Sequence, residues 1–496
     1  MTTIRRLTGR LADVGLLIEA DPFDKDVRIN RLTKDSREIG PNMMFVAIRG
    51  GKVDGHLFID KAVNNGAIAV VCETVPGDAR TRFPGTVFAT VSNTRAAWAH
   101  LSSVFHEDPS EKLTIVGSTG TNGKSTTAYL IHHLLNTLGR KCGLIGTIAY
   151  HTGQEERQSS LTTPDALELQ ELLRSMVDAG CTTCSIEVSS HALSQHRVAG
   201  LPFDVGVFTN LTQDHLDFHG DFQHYLETKR SLFTSLAAGA TAVYNSDDPS
   251  GAAMVSDIHA EILSYGQNTQ ADIRFEVLGN DREGLSLRLD GYKQTFRLVG
   301  VFNAYNLTAA YGAARALDYQ SGDILGALAD APPVPGRFEQ MPTNDGRLVI
   351  VDYAHTPDAL DNALRAAREV LKGHGRLICV FGCGGDRDVT KRPLMGAIAE
   401  QVSDLAIATS DYPRTEDPAR ILDDIRAGFA NPTAAKWIVD RESAIGAAAR
   451  LAVPGDIVLI AGKGHETYQV IGTRKTLFDD RKIARQVFGI PDTKLS

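Results

Sequence analysis

Residues 117–126 read Gly-Ser-Thr-Gly-Thr-Asn-Gly-Lys-Ser-Thr, between an apolar run at 113–116 and a helical pattern at 127–138. A strand, a glycine-rich turn and a helix start, in that order, commit this stretch to a parallel β–α unit. The turn also carries chemistry. Gly117, Gly120 and Gly123 let the backbone bend close to an anion, and the free N–H groups of the helix start point at it. Lys124 is placed to neutralise phosphate charge, and the Ser125 hydroxyl to ligate Mg²⁺. With Thr121, Asn122 and Thr126 they form a candidate nucleotide site. Ser118 stands where the standard Walker A pattern has its first glycine, so the strand–loop–helix context carries the assignment.

At 496 residues the chain exceeds one core, and its length suggests about three domains. Residues 1–109 mix short strands, at 42–48 and 67–72, with a helix at 95–105, and break at Glu107-Asp108-Pro109. Over 110–337, strands at 113–116, 143–147, 183–187 and 205–209 alternate with helices, as a parallel sheet requires. An antiparallel insert at 273–298 carries the hairpin signal Asp290-Gly291. The Pro-rich stretch 331–337 then opens a third segment, 338–496. There strands at 348–352, 377–381, 405–409, 437–439 and 457–461 restart the alternation. The fold class is α/β: an N-terminal α/β domain, a central P-loop-type parallel sheet and a doubly wound Rossmann-like C-terminal domain.

The net charge of -9 disfavours a nucleic-acid partner but leaves room for an anionic small substrate in a local basic pocket. No apolar stretch of about 18 residues predicts a membrane span. The start, Met-Thr-Thr-Ile-Arg-Arg, lacks the apolar core of a leader. Six cysteines over this length suit a reducing cytoplasm. Cys181-Thr-Thr-Cys184 has zinc-knuckle spacing without a second ligand pair, and is read as buried thiols.

Ligands of open α/β sheets sit outside the carboxyl ends of the strands. Four polar or glycine-rich loops of the third segment fall there: 352–355, 382–387, 410–414 and 462–466. In the central segment Glu187 and His215 follow strand ends and are metal-ligand candidates by residue type. Lys229, in a helical stretch, reads by itself as a solvated helix lysine. Asn303 and Asn306 open a helix after Gly300, where they could cap it or meet an adenine edge.

Gly120–Ser125, Glu187-Val188-Ser189-Ser190-His191, Asn210-Leu211-Thr212 with Asp214-His215-Leu216-Asp217, and Phe302-Asn303-Ala304-Tyr305-Asn306 resemble the Mur ligases. These are ATP-dependent amide-forming enzymes of peptidoglycan precursor synthesis. Thr162-Thr163-Pro164, Gln195-His196-Arg197, Gly384–Arg387, Asp411-Tyr412-Pro413-Arg414 and Gly462–Glu466 narrow the resemblance to members that add the third residue of the stem peptide. It runs from Asp35 almost to the C-terminus.

The resemblance implies the following roles. The N-terminal domain holds the uridine diphosphate end of UDP-N-acetylmuramoyl-L-Ala-D-Glu through Lys34, Ser36, Gly51, Lys52 and Val53. Thr162, Thr163, Ser189, Gln195 and Arg197 hold its muramyl dipeptide. ATP is contacted by Gly120–Thr126, Asn303, Asn306, Arg337, Asp352 and His355. Lys124, Lys229 and His215 are catalytic. Mg²⁺ is held by Ser125, Glu187, His215 and Lys229, the last as a CO₂-derived carbamate. Arg387, Asp411, Tyr412, Pro413, Arg414, Gly462 and Glu466 bind the incoming amino acid. All partners are small molecules, and a cytoplasmic monomer is expected.

One departure bears on that amino acid. Members adding meso-diaminopimelate usually carry Asp-Asn-Pro-Arg, and here Tyr412 replaces the asparagine. Arg414 still matches a distal carboxylate, which lysine lacks, and so favours diaminopimelate. Lysine or another diamino acid is the alternative substrate. A nucleotide-dependent binding or switch protein is the alternative class. Leu161 stands where some relatives have a polar residue.

Overall fold

In the computed structural model, residues 2–491 are described, apart from 24, 25, 52, 213 and 215. A five-stranded sheet near the N-terminus is ordered Leu17–Ala20, Val87–Val91, Ala67–Cys72, Met43–Val46, Arg31–Thr33, parallel except for its first strand. Side chains alternate across it. Met44, Val46, Ala69 and Val71 enter one core with the helix Thr94–Phe105, while Phe45, Val70 and Phe88 enter another on the opposite face. Burial on both faces is why these strands read as continuous apolar runs.

The phosphate-loop strand, Thr114–Thr119, lies between Val205–Phe208 and Thr183–Glu187 and is parallel to both. Glu187 pairs with Ser118 and Phe208 with Thr119, so the loops leaving all three strands emerge at one edge. Cys142–Ile145 continues the parallel sheet beyond Thr183–Glu187, and Thr241–Asn245 and Glu261–Gly266 extend the other side. Leu169, Leu173, Ile186, Phe208 and Phe233 lie in the core of this layer.

A second parallel sheet, ordered Leu348–Asp352, Ile457–Ala461, Leu377–Cys383, Leu405–Ser410, Lys436–Trp437, has Glu339–Pro342 antiparallel at one edge. The last strand is shorter than its sequence pattern suggests, because an edge strand is paired on one side only. The antiparallel insert is a three-stranded meander, Ile273–Asp281, Gly284–Leu289 and Tyr292–Phe296. Asp290 and Gly291 both take positive φ, 50° and 85°, as a tight hairpin turn demands. A further hairpin, Tyr468–Ile471 with Arg474–Leu477, was not legible in the sequence.

The chain packs as two units. One comprises Met1–Tyr265 with Gly312–Tyr319, and the other Gly266–Tyr311 with Gln320–Ser496. All six cysteines are buried and free, Cys181 and Cys184 included. Among the described residues no helix is long and apolar enough to cross a membrane.

Candidate active site

The helix of the phosphate loop starts at Lys124, three residues earlier than its apolar pattern suggests. Its N-cap, Gly123, is left-handed (φ 83°) and provides no side-chain acceptor. A helix start without a side-chain cap is suited to an anion. Gly120 has φ 152°, and a Cβ there would lie 2.0 Å from Thr209 Oγ1. This packing ties the loop to the next strand end. Thr209 Oγ1 donates to Asn122 O (2.6 Å), Thr121 N donates to Asn210 O (2.8 Å), and Asn122 N donates to Asn210 Oδ1 (2.9 Å).

Two lysines converge on the Gly120 carbonyl. Lys124 Nζ donates to it at 2.9 Å and to Thr121 O at 2.8 Å, and Lys229 Nζ donates to it at 2.7 Å. Lys229 is 1% exposed, which overturns its reading as a solvated helix lysine. It lies on the stripe Tyr225, Thr228, Lys229, Leu232, Phe233 that its helix, Phe222–Thr234, turns inward. Burial, reinforced by the charge of Lys124, pushes the Lys229 amine well below the usual lysine range.

Beside the loop, Glu187 is 2% exposed. Its Oε2 accepts from Ser125 Oγ and from Thr147 Oγ1, both at 3.0 Å, and its Oε1 accepts from Thr147 N at 2.8 Å. Gly146 is required here, because a Cβ would come within 2.3 Å of Glu187 Oε1. A buried carboxylate against a serine hydroxyl is a hard-oxygen donor pair, which fits Mg²⁺. His215 lies outside the described residues. Among the described residues no group of three or more His, Cys, Asp or Glu side chains could hold a metal.

The same carboxylate leads to a second cavity. Thr147 Oγ1 is 2.9 Å from Thr162 Oγ1, and Thr163 Oγ1 donates to Glu187 O at 2.6 Å and contacts Ser189 Oγ at 3.3 Å. Arg197 Nη1 donates to Thr163 O (2.7 Å) and its Nη2 to Gln195 Oε1 (2.9 Å). A cavity of about 180 Å³ lies close by, lined by Gln195 and Arg197 together with Lys34, Arg95, Trp98 and Asp165. Lys34 pairs with Asp165, which also accepts from Trp98 Nε1 at 2.8 Å. Burial works to raise the Asp165 carboxyl, but Lys34 and Trp98 together bring it below the usual range. Ser36 is buried, with its carbonyl held by Asn65. Gly51 and Val53 sit in the exposed turn closed by Gly50 N to Val53 O, and Lys52 lies outside the described residues. Ser36, Gly51 and Val53 do not line the cavity.

In the second unit, the loops expected to meet the amino acid gather at the carboxyl edge of the sheet. Gly385 N donates to Tyr412 O at 2.7 Å, and a Cβ on Gly385 would strike Pro413 O at 2.0 Å. Arg414 has φ 49° and is held by the hairpin through its N–H to Val470 O (3.1 Å). Its Nη1 donates to Gly385 O. Tyr412 Oη donates to Glu466, and Lys463 Nζ lies 3.7 Å from the centroid of the Tyr412 ring. Burial lifts the Glu466 carboxyl above its usual range. Arg387 is exposed beside this cluster.

Of the other residues expected at ATP, Asp352 accepts from Phe338 N (2.6 Å) and Ala354 N (2.8 Å), and Arg337 stacks 4.6 Å from the Tyr353 ring centroid. His355 Nδ1 lies 2.9 Å from Tyr353 O. Asn303 is not a cap. It lies inside the helix Val301–Arg315, where its Nδ2 donates back to Val299 O and its Oδ1 accepts from Asn306.

Family models of the Mur ligase middle domain, the Mur ligase glutamate ligase domain and the Mur ligase family catalytic domain match residues 119–314, 336–464 and 28–98. A protein from Parabacteroides distasonis named UDP-N-acetylmuramoyl-L-alanyl-D-glutamate--2,6-diaminopimelate ligase is 44% identical over 487 residues, 98% of this chain and 99% of its own. One of the same name from Phocaeicola vulgatus is 42% identical over 476 residues, 96% and 98% of the two chains. A solved structure of a ligase of that name is 32% identical, with a TM-score of 0.67 over 98% of this chain and 99% of its own. The chain belongs to the Mur ligase family.

Within this Mur ligase, residue-type reasoning missed Arg95, Trp98 and Asp165, which line the cavity. Asp165 did carry a signal. It follows Thr162-Thr163-Pro164 directly and caps the helix Ala166–Asp178 through Leu167 N, a position where acidic residues are common. Trp98 had none, since it sits among the core residues of its helix. Nor did the Arg441–Asp480 ion pair beneath Gly462, which joins two helix starts far apart in sequence.

Proposed function

We propose that this chain is a MurE-type ligase, which uses ATP to join meso-2,6-diaminopimelate to the D-Glu γ-carboxylate of UDP-N-acetylmuramoyl-L-Ala-D-Glu. The observation that carries the reading is the chain Ser125–Glu187–Thr147–Thr162. It runs from the phosphate loop to Thr162, whose chain neighbour Leu161 lines the cavity with Gln195 and Arg197, all within one unit. A phosphoryl donor and a carboxylate acceptor held at the two ends of that chain are set for transfer. In this reading residues 1–109 bind the uridine nucleotide, 110–337 bind ATP and the dipeptide, and 338–496 bind the incoming amino acid. The chain works as a monomer in the cytoplasm, where ATP and nucleotide-linked precursors are available.

The γ-phosphoryl group passes to the γ-carboxylate, forming an acyl phosphate and ADP. The amine then attacks the acyl carbon, and phosphate leaves from the tetrahedral intermediate. Lys124 and the first-turn N–H groups stabilise charge on the transferring phosphoryl group. Asn303, Asn306, Arg337, Asp352 and His355 contact the nucleotide, and Lys34, Ser36 and the 51–53 turn the uridine diphosphate. Thr162, Thr163, Ser189, Gln195 and Arg197 orient the acceptor. Ser125 and Glu187, with His215, would hold Mg²⁺, which would supply charge neutralisation on the phosphates. Lys229 joins that set as a carbamate: its neutral amine adds to CO₂, forming an N–C bond and releasing a proton to solvent. A buried amine with a lowered proton affinity supports this modification. Arg414, with Arg387, Tyr412 and Glu466, selects the diamino diacid through its distal carboxylate.

A coupled ADP-release assay with the sugar-linked dipeptide tests the reading. ADP should appear with diaminopimelate and far less with lysine. No ADP release with any amino acid would end it.

A further inference from the structure

The cavity that holds Arg197 is lined by stretches far apart in the chain. Arg95 and Trp98 come from the helix Thr94–Phe105, and Gln195, His196 and Arg197 from the turn after the helix Ser190–Ser194. Both stretches belong to one unit. A side-chain contact joins them: Asn93 Nδ2 lies 3.3 Å from His196 Nε2, and both residues are half-buried.

The orientation of each partner is fixed by its own helix. Asn93 caps Thr94–Phe105, and its Oδ1 accepts from Arg95 N (2.9 Å) and Ala96 N (3.0 Å). That leaves Nδ2, a donor only, facing the imidazole. His196 closes the other helix. Its N–H donates to Leu193 O at 3.0 Å, Arg197 N donates to Ala192 O at 2.9 Å, and His196 takes φ 54°. Glycine is the usual occupant of this left-handed position after a helix, because a Cβ strains it. Here the position carries a ring instead, between two residues whose side chains meet, Arg197 Nη2 donating to Gln195 Oε1.

A donor on Asn93 is met only by a bare ring nitrogen. The contact therefore requires neutral His196 with its proton on Nδ1, and an imidazolium would set two donors face to face. Burial and the Arg95 guanidinium both push His196 below the usual histidine range. Lys34, Arg197 and Asp165 line the same cavity, and Glu73 accepts from Thr94 N and Oγ1 at the start of the Asn93 helix. Asp165 is held below the usual carboxylate range, so it does not titrate where a histidine does.

We propose that His196 is a positioning residue for the nucleotide-sugar substrate: as a neutral imidazole it ties the turn carrying Gln195 and Arg197 to the helix carrying Arg95 and Trp98, and its protonation releases the tie. This rests on the ligase reading above, and it makes binding of the acceptor sensitive to acid.

The test titrates UDP-N-acetylmuramoyl-L-Ala-D-Glu calorimetrically into the full-length enzyme between about pH 5 and pH 8. Parent affinity should fall about 2- to 12-fold toward the acid end, the effect of one hydrogen bond. Asn93→Asp keeps an oxygen for the helix cap and sets its second oxygen against Nε2, where it accepts from the imidazolium, so the acid-side fall should disappear. His196→Gly removes the ring at a φ that suits glycine, so the fold should hold. It should bind the nucleotide sugar about 2- to 12-fold more weakly than the parent near neutral pH, without the acid-side fall, and match the parent in ADP affinity. Parent-like nucleotide-sugar affinity in His196→Gly overturns the proposal, and so does an acid-side fall in Asn93→Asp equal to the parent's. Parent affinity that rises in acid overturns it too, since the imidazolium would then meet the substrate directly. If the parent binds no nucleotide sugar at any pH, the ligase reading fails instead.

Discussion

Replacing Gly120 with alanine tests the phosphate loop where its geometry is tightest. The new Cβ would fall 2.0 Å from Thr209 Oγ1 and 3.0 Å from Asn210 O, on a backbone with φ 152°. That conformation costs a non-glycine residue about 1–3 kcal/mol. Relieving the overlap means moving Thr209 or the loop, which breaks Thr209 Oγ1 to Asn122 O and Thr121 N to Asn210 O. Each such bond contributes about 0.5–1.5 kcal/mol. Together the loss is about 2–6 kcal/mol, a large part of a typical domain's stability. Gly139→Ala is the matched control. Gly139 also has positive φ, 82°, but nothing lies within 4 Å of its Cβ position. It should cost about 1 kcal/mol, from backbone strain alone. Urea unfolding of both variants, with ADP titrated calorimetrically into each, separates the terms. Gly120→Ala should be the less stable by at least about 1 kcal/mol and should lose ADP binding. Equal stability, or unchanged ADP affinity, would refute the argument that this loop is shaped by contact with Thr209.

Three further outcomes are expected. Lys229 has its proton affinity lowered by burial and by Lys124, so between that lowered value and the ordinary lysine value of 10.5 the unfolded chain binds the proton that the folded chain lacks. Stability should therefore rise with pH across this window, by up to about 1.4 kcal/mol per unit, and Lys229→Met should flatten the rise in CO₂-free urea titrations. An unchanged slope would remove the buried amine as its source. Arg414→Lys gives up a bidentate partner for a carboxylate. It should lower kcat/KM for diaminopimelate about 10- to 100-fold and narrow the preference over lysine; full retention would show that Arg414 does not select. Asp165→Ala leaves Lys34 and Trp98 Nε1 without their acceptor, and KM for the nucleotide sugar should rise about tenfold while KM for ATP holds.

Much of this protein is local, and local features are legible. The strand before the phosphate loop, the positive-φ glycines and the Asp290-Gly291 turn each follow from residues within a few positions of one another. Lys229 was a near miss. Its positions 225, 228, 229, 232 and 233 repeat with helical period, but a lysine on an apolar stripe reads as an error until its acceptor is known. That acceptor, the Gly120 carbonyl, is 109 residues away.

The sequence by itself determined the α/β class, the phosphate loop and the strand-end loops, because backbone conformation and side-chain period are set by neighbours. Only the tertiary structure decided which ends meet. Thr183–Glu187 and Val205–Phe208 flank the loop strand, and that order alone puts Glu187 on Ser125 and Thr209 under Gly120. Strand order is fixed by which apolar faces close together, a property of the whole core that no short stretch of residues carries.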